Sequence, residues 1–263
     1  MVWRGVCGRH RVTTETQGFF GRVVVITGAS RGLGQVLAQQ FSAAGASVGL
    51  IARDGVAVKQ LAATLPGRAA AVACDVSDED EVAAAFAHIA DTLDGVDTVV
   101  ANAGIAAESG RGHKLSLDSW RAILDVNLTG SFLTARAAYP YLAASKQGRL
   151  VLTSSVMARL PRRGIAAYAA SKAGIEGLTR ALAVDWARDG ISVNAVAPGF
   201  FGAGLGTAFA ASDRLAEEVS SRIPLDRFGA PEELARTVRF LVSPASGYVT
   251  GQVIAVDGGY GLG

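Results

Sequence analysis

Apolar runs and helical patterns alternate along this chain from residue 22 onward. The runs "RVVVITG", "SVGLIAR", "AAAVACDV" and "VDTVVANAG" are each followed by a stretch whose apolar positions recur every three or four residues, at 33–44, 55–65, 78–93 and 118–145. The alternation continues through "GRLVLTSS", a helical pattern from Ala166 to Asp189, "ISVNAVAPG" and "GQVIAVDGG". Near-continuous apolar runs mark strands buried on both faces, and strands separated by helices run parallel because each crossover returns the chain to the same end of the sheet. The pattern therefore predicts a single doubly wound α/β domain, a seven-stranded parallel sheet with helices on both faces. Gly190, just past the longest helical pattern, is free to take the left-handed conformation that stops a helix.

Between Phe200 and Asp226 the alternation stops, and "FFGAGLGTAFAA" leads into the helical stretch "SDRLAEEVSSRIP". An insertion at the carboxyl end of a strand lies over the ligand crevice of such a sheet, so residues 200–226 are expected to form a lid. Its Phe200, Phe201, Leu205 and Phe209 either line an apolar pocket or pack the lid itself. Residues 1–18 have several arginines, no acid before Glu15 and no apolar centre of the kind a secretory signal needs. They read as a disordered tail ahead of a domain at 19–263.

Composition narrows the picture without changing it. With 263 residues, half of them hydrophobic and 18% charged, the chain suits one large compact domain. No window approaches the roughly 18 uninterrupted apolar residues of a membrane span. The net charge of +2 is spread along the sequence, so neither a membrane nor nucleic acid is expected as a partner. Cys7 and Cys74 lie far apart and His10, His88 and His113 are scattered, which gives no disulfide framework, no metal-ligand set and an expected reducing, cytoplasmic setting.

The first candidate chemistry lies where the first strand ends. "TGASRGLG" carries Gly28, Gly32 and Gly34 straight into a helix, with Ser30, Arg31 and Leu33 between them. Glycine lets the backbone turn sharply and come close to a pyrophosphate, and the uncovered N–H groups and dipole of the following helix attract its charge. The spacing differs from the GxGxxG dinucleotide fingerprint, so the loop alone is also compatible with a plain strand-to-helix turn. At the end of the second strand, where an acid would hold the ribose hydroxyls of NAD, "GLIARD" places Ala52 and Arg53. Arg53, with Arg31 beside it in the loop, suits an adenosine 2′-phosphate, so NADP(H) is preferred and NAD(H) is the lesser possibility.

The second candidate is "YAASK", which puts Tyr168 and Lys172 one turn apart on a helix face just after a strand ending in "LTSS". An ammonium nearby favours phenolate and is expected to lower the tyrosine pKa, making the phenol a proton donor and acceptor near neutral pH. An ordinary surface Tyr and Lys would show the same spacing.

Together with "TGASRGLG", "NAG" at Asn102–Gly104, Asn127 in "VNLTG", Ser155 thirteen residues before Tyr168 and "PG" at Pro198 and Gly199, this pattern resembles the short-chain dehydrogenase/reductase family from about Phe20 to Tyr260. The resemblance implies a Rossmann-like fold and an oxidoreductase moving a hydride between NADP(H) and a carbonyl or secondary alcohol of a small substrate. It implies Tyr168 as general acid/base, Ser155 as hydrogen-bond donor to the substrate oxygen, Lys172 on the nicotinamide ribose and Asn127 as holder of a relay water. It also places Asp75 and Val76 at the adenine, Asn102 and Gly104 between adenosine and nicotinamide, and Pro198 and Gly199 beside the cofactor; read from the sequence alone, Asp75 is equally a helix cap. Ala203 departs from the pattern, because family members commonly have a threonine there, and Thr207 or backbone groups would have to replace it.

Within the family the pattern is similar to 3-oxoacyl carrier-protein reductases and gluconate 5-dehydrogenases. Arg159, Arg162 and Arg163 lie between Ser155 and Tyr168, where they meet an anionic substrate or acidic carrier protein, or form a solvated basic loop. The alanine-rich helices at 118–145 and 166–188, and the C-terminal "VDGGYGLG", are the segments through which the family forms two-fold symmetric homotetramers. The competing reading is a dinucleotide-binding regulator or scaffold that turns nothing over.

Overall fold

In the computed structural model, the structure describes residues 18–106, 110–204 and 213–262. Seven parallel strands form one sheet in the order β3-β2-β1-β4-β5-β6-β7. The strands are β1 Val23–Thr27, β2 Ser47–Ala52, β3 Ala69–Ala73, β4 Thr98–Ala101, β5 Arg149–Thr153, β6 Ser192–Pro198 and β7 Val253–Val256. The helices are α1 Gly32–Ala43, α2 Gly55–Thr64, α3 Glu79–Leu93, α4 Leu117–Leu124, α5 Gly130–Ala144, α6 Ala166–Trp186, α7 Asp213–Ser220 and α8 Pro231–Val242.

The strand period of two divides each apolar run between two cores. Val23 and Val25 of β1 join Phe86, Ile89, Leu142 and Ile175 of α3, α5 and α6 on one face. Val24 and Ile26 join Leu37, Phe41, Val58 and Leu234 of α1, α2 and α8 on the other. Every residue of β1 is buried, as expected for a strand covered on both sides. Phe41 and Phe86 are fully buried, each contributing about 1.5–3 kcal/mol of transfer free energy. Phe19 is already part of this packing, edge-on to Phe41 with ring centroids 5.1 Å apart. The expected tail up to residue 17 lies outside the described residues, as do its Cys7 and His10.

The strand order reverses between β1 and β4, which opens a crevice at their carboxyl ends. The predicted helix at 118–145 is interrupted there: α4 and α5 are joined by one π-turn, Asp125–Thr129, with Asn127 at its centre. A π-turn adds one residue to the helical repeat, and over so short a stretch that single phase step does not stand out from the apolar pattern. After α6, a short 3₁₀ turn ends at Gly190 with φ 75°, the left-handed stop anticipated for that glycine. Leu205, Thr207 and Phe209 of the expected lid lie outside the described residues, while its stem, Phe200 and Phe201, is buried.

Candidate active site

The loop after β1 shows why its glycines are needed. Gly28 has φ +69°, and a Cβ there would stand 2.8 Å from Ala103 Cα. A Cβ on Gly34 would overlap the carbonyl of Gly28. The side chain of Asn102 fills the space between these backbones, its Nδ2 donating to Thr27 O at 3.1 Å and reaching Gly28 O at 3.4 Å. The Thr27 hydroxyl in turn accepts from the amides of Asn102 and Ala103, each at 3.1 Å. Asn102 thus pins the loop after β4 to the loop after β1. Arg31 occupies the cap position of α1, no side chain caps that end, and its first turn has no acid, so its amides suit an anion. Gly32, with φ +60°, faces the lid stem: a Cβ there would come within 2.6 Å of Gly204 Cα. Ser30 and Leu33 are half-buried in the same loop.

The groups expected to read the adenosine end lie on neighbouring strand ends. Arg53 is exposed just past β2. Asp75, past β3, has its carboxyl held below the usual range by Ser77, whose hydroxyl and amide donate to Oδ1 at 2.6 and 2.9 Å, and to a lesser degree by the charge of Arg53. The cap of α3 is Asp78, which accepts from the amides of Asp80 and Glu81, so Asp75 is not the helix cap that sequence left open. Val76 is buried against Gly130. Cys74, next to it, is a buried thiol pushed up to about 12 by that burial and by the surrounding acids. Pro198 ends β6, and Gly199 N donates to Val256 O at 2.9 Å.

At the centre of the crevice, β5, the π-turn and α6 bring Ser155, Asn127, Tyr168 and Lys172 together. Lys172 is buried and donates from Nζ to Thr153 O at 2.7 Å. Its Nζ lies 5.8 Å from the Tyr168 ring centroid, and a Cβ on Gly104 would stand 3.4 Å from it. Burial lowers the Lys172 pKa to about 8. Burial raises that of Tyr168, and the Ser155 hydroxyl, hydrogen-bonded to the phenol, pulls it part of the way back. The expected lowering by the ammonium therefore does not prevail: desolvation of the phenol is the larger effect here. Asn127 is fully buried and uses its whole side chain structurally. Its Oδ1 accepts from Ile105 N at 2.8 Å, and its Nδ2 donates to Ile105 O and to Ser171 Oγ, both at 3.0 Å. Ser171 Oγ passes on to Tyr168 O at 2.7 Å.

An apolar cluster of Val156, Met157, Phe200, Val219 and Ile223 lies beside Tyr168, with Phe228 and Tyr260 packed on it. The three loop arginines separate. Arg159 is committed to the buried Glu176, Arg162 stacks over Phe200 at 5.6 Å, and Arg163 is exposed. His88 and His113 are exposed and apart, and no group of metal-ligating side chains occurs among the described residues. Nor is any described helix long and apolar enough to cross a membrane. Sequence reasoning passed over Thr27, Thr153, Ser171 and Glu176; of these only Glu176 left a signal, an acid continuing the 168–172 spacing onto a buried face.

A strand-glycine-helix loop at the switch point, with a buried lysine and a tyrosine one turn apart on α6, is the arrangement of an oxidoreductase class, and the comparisons agree. A family profile described as enoyl-(acyl carrier protein) reductase matches residues 28–261. Cis-4-hydroxycyclohexanecarboxylate dehydrogenase of Sinomonas cyclohexanicum is 37% identical over 246 residues, covering 93% of this chain and 98% of that protein. A 3-oxoacyl-[acyl-carrier-protein] reductase of a Synechocystis species is 37% identical over 243 residues, covering 90% and 96%. A solved structure described as a candidate gluconate dehydrogenase from Agrobacterium tumefaciens superposes with a TM-score of 0.86 at 35% identity, covering 93% and 97%. The chain belongs to the short-chain dehydrogenase/reductase family and has its single-domain Rossmann-like fold.

Proposed function

We propose that this chain reduces a carbonyl, or oxidises the corresponding secondary alcohol, of a small substrate with NADP(H). The observation that carries the reading is the convergence of Ser155, Tyr168 and the buried Lys172 at the carboxyl end of β5, beside the glycine loop. When bound, the dinucleotide supplies or accepts the hydride. The protein's part is to handle the oxygen. A phenol is protonated at neutral pH and burial raises Tyr168 further, so it can donate to the oxygen as charge develops there. Ser155 adds a second, preorganised donor.

The cradle fits a dinucleotide: Gly28 and Gly34 have no room for a Cβ, and the start of α1 is free of acids. Ser30, Arg31, Gly32 and Leu33 would meet the pyrophosphate, Arg53 and Arg31 the 2′-phosphate, and Asp75 and Val76 the adenine. Asn102 and Gly104 would lie between adenosine and nicotinamide and Pro198 and Gly199 beside the cofactor, with Lys172 on the nicotinamide ribose. Asn127 acts by holding Ile105 and α6, and, with its side chain so engaged, the relay water expected there would fall to its backbone carbonyl, which also accepts from Ser131 Oγ.

The relatives act, by their names, on a hydroxycyclohexane carboxylate and on an acyl group carried by a protein. NADPH absorbance should therefore be followed over ring and chain ketones, keto acids, 3-oxoacyl thioesters and quinones. Consumption with any of them supports the reading, and none across the panel would sink it in favour of a scaffold. We further infer a homotetramer using α5 and α6. Light scattering should give four copies of the 27.0 kDa chain, and a monomer at micromolar concentration would overturn it.

A further inference from the structure

The network around Lys172 extends one turn beyond the residues given a role above. Glu176 stands four residues after Lys172 and eight after Tyr168 on α6, with its side chain only 10% exposed. A buried carboxylate requires partners, and Arg159 provides a forked one. Arg159 Nε donates to Oε1 at 3.1 Å and reaches Oε2 at 3.3 Å, while Nη2 donates to Oε2 at 3.2 Å. Arg159 directly follows the 3₁₀ turn Val156–Ala158, whose start is capped by Ser155. On the other side of Ser155, the Ser154 hydroxyl donates to Lys172 O at 3.1 Å and lies 3.5 Å from Glu176 Oε1. Ser155 is therefore bracketed: the residue before it and the residue four after it are both tied to the same stretch of the helix that carries Tyr168.

We propose that the Arg159–Glu176 ion pair is a positioning device that sets the approach of the Ser155 hydroxyl to the Tyr168 phenol. The inference rests on the reading of Ser155 and Tyr168 given above. A planar fork on a carboxylate fixes direction as well as distance, which apolar packing of the same loop would not do. The pair touches neither the glycine loop nor the strand ends near Arg53, so its loss should reach the proton-handling groups and spare cofactor binding.

The test compares Arg159→Gln, Glu176→Gln, the double variant, Arg159→Lys and Tyr168→Phe, using the fastest substrate of the panel. Each single glutamine variant should lose about 10- to 100-fold in kcat, the range expected for misplacement on the ångström scale. The double variant should be no worse than the poorer single one, because both remove the same contact. NADPH affinity by fluorescence titration should stay within about twofold of wild type, the primary deuterium isotope effect on kcat should rise, and Arg159→Lys should recover part of the rate. Arg159→Gln leaves the Glu176 carboxylate, only 10% exposed, without its partner, so melting curves are recorded on every variant, and the double variant, which removes both charges, carries the rate measurement if a single one unfolds. Wild-type kcat and isotope effect in both single variants, with only a lower Tm, would overturn the proposal, as would losses that add in the double variant. If Tyr168→Phe kept its activity the underlying reading would fail instead.

Discussion

Asn127 grips Ile105 by both ends of its amide, accepting from the backbone N–H at 2.8 Å and donating to the C=O at 3.0 Å. An asparagine in a π-turn thereby closes the loop after β4 onto α6. Asn127→Ala should leave these groups unpaired and cost about 1–3 kcal/mol for each one that stays buried. Asn127→Asp keeps the acceptor but turns a buried carboxylate oxygen toward Ile105 O and Ser171 Oγ, so it should be no more stable than alanine in urea unfolding. Equal stability of all three proteins would show that the grip contributes nothing.

Tyr168→Phe removes the hydroxyl and keeps the ring against its apolar neighbours. Turnover should fall below measurement while NADPH still binds, and a variant with a tenth of the wild-type rate would rule out the phenol as the acid.

Arg53 is the group expected to separate the two cofactors. NADPH should bind more tightly than NADH at fixed salt, and Arg53→Ala should cost NADPH about 1.5–3 kcal/mol, the worth of a charge-assisted hydrogen bond. NADH should scarcely respond. Equal losses for both cofactors would remove the 2′-phosphate from the account.

Lys172 gives a prediction in pH. Its folded pKa of about 8 lies below its ordinary 10.5. Between those values the unfolded chain binds more protons than the folded one, so this group's contribution to stability rises with pH through that window and is lost as pH falls toward 8. The raised phenol of Tyr168 acts the other way, its contribution being lost as pH climbs past its ordinary 10.0. Lys172→Met removes the first effect alone. The Tm of the variant should gain on wild type near neutral pH, and the gain should shrink toward pH 10. A difference that does not change with pH would contradict the burial of a titrating ammonium.

The sheet was legible because its inner strands are buried on both faces, as in β1, where apolarity alone specifies the element. The glycine loop and the Tyr168–Lys172 pair were legible because close backbone approach and one-turn spacing leave marks in residue type and number. The π-turn at Asn127 left none. The ordering of Tyr168 and Lys172 pKa values was also hidden, since desolvation depends on what covers a group and not on its sequence neighbours. The loop arginines show the same limit: nothing in "MARLPRR" says that Arg159 turns to Glu176 while Arg162 stacks on Phe200.

The length of α6 has a mechanical side. Tyr168 stands in its first turn and Trp186 at its last residue, where Trp186 and Leu182 join Phe132, Ala135, Arg136 and Tyr139 around a cleft of about 240 Å³. The two ends are about 27 Å apart at the helical rise. A tilt of about 2° about the Trp186 end would carry the phenol by about 1 Å, a displacement that can cost on the order of a hundredfold in rate. Packing of α6 against β5, β6, α4 and the π-turn resists that tilt, so the placing of the phenol is held along the whole rod and not only by the groups that touch it.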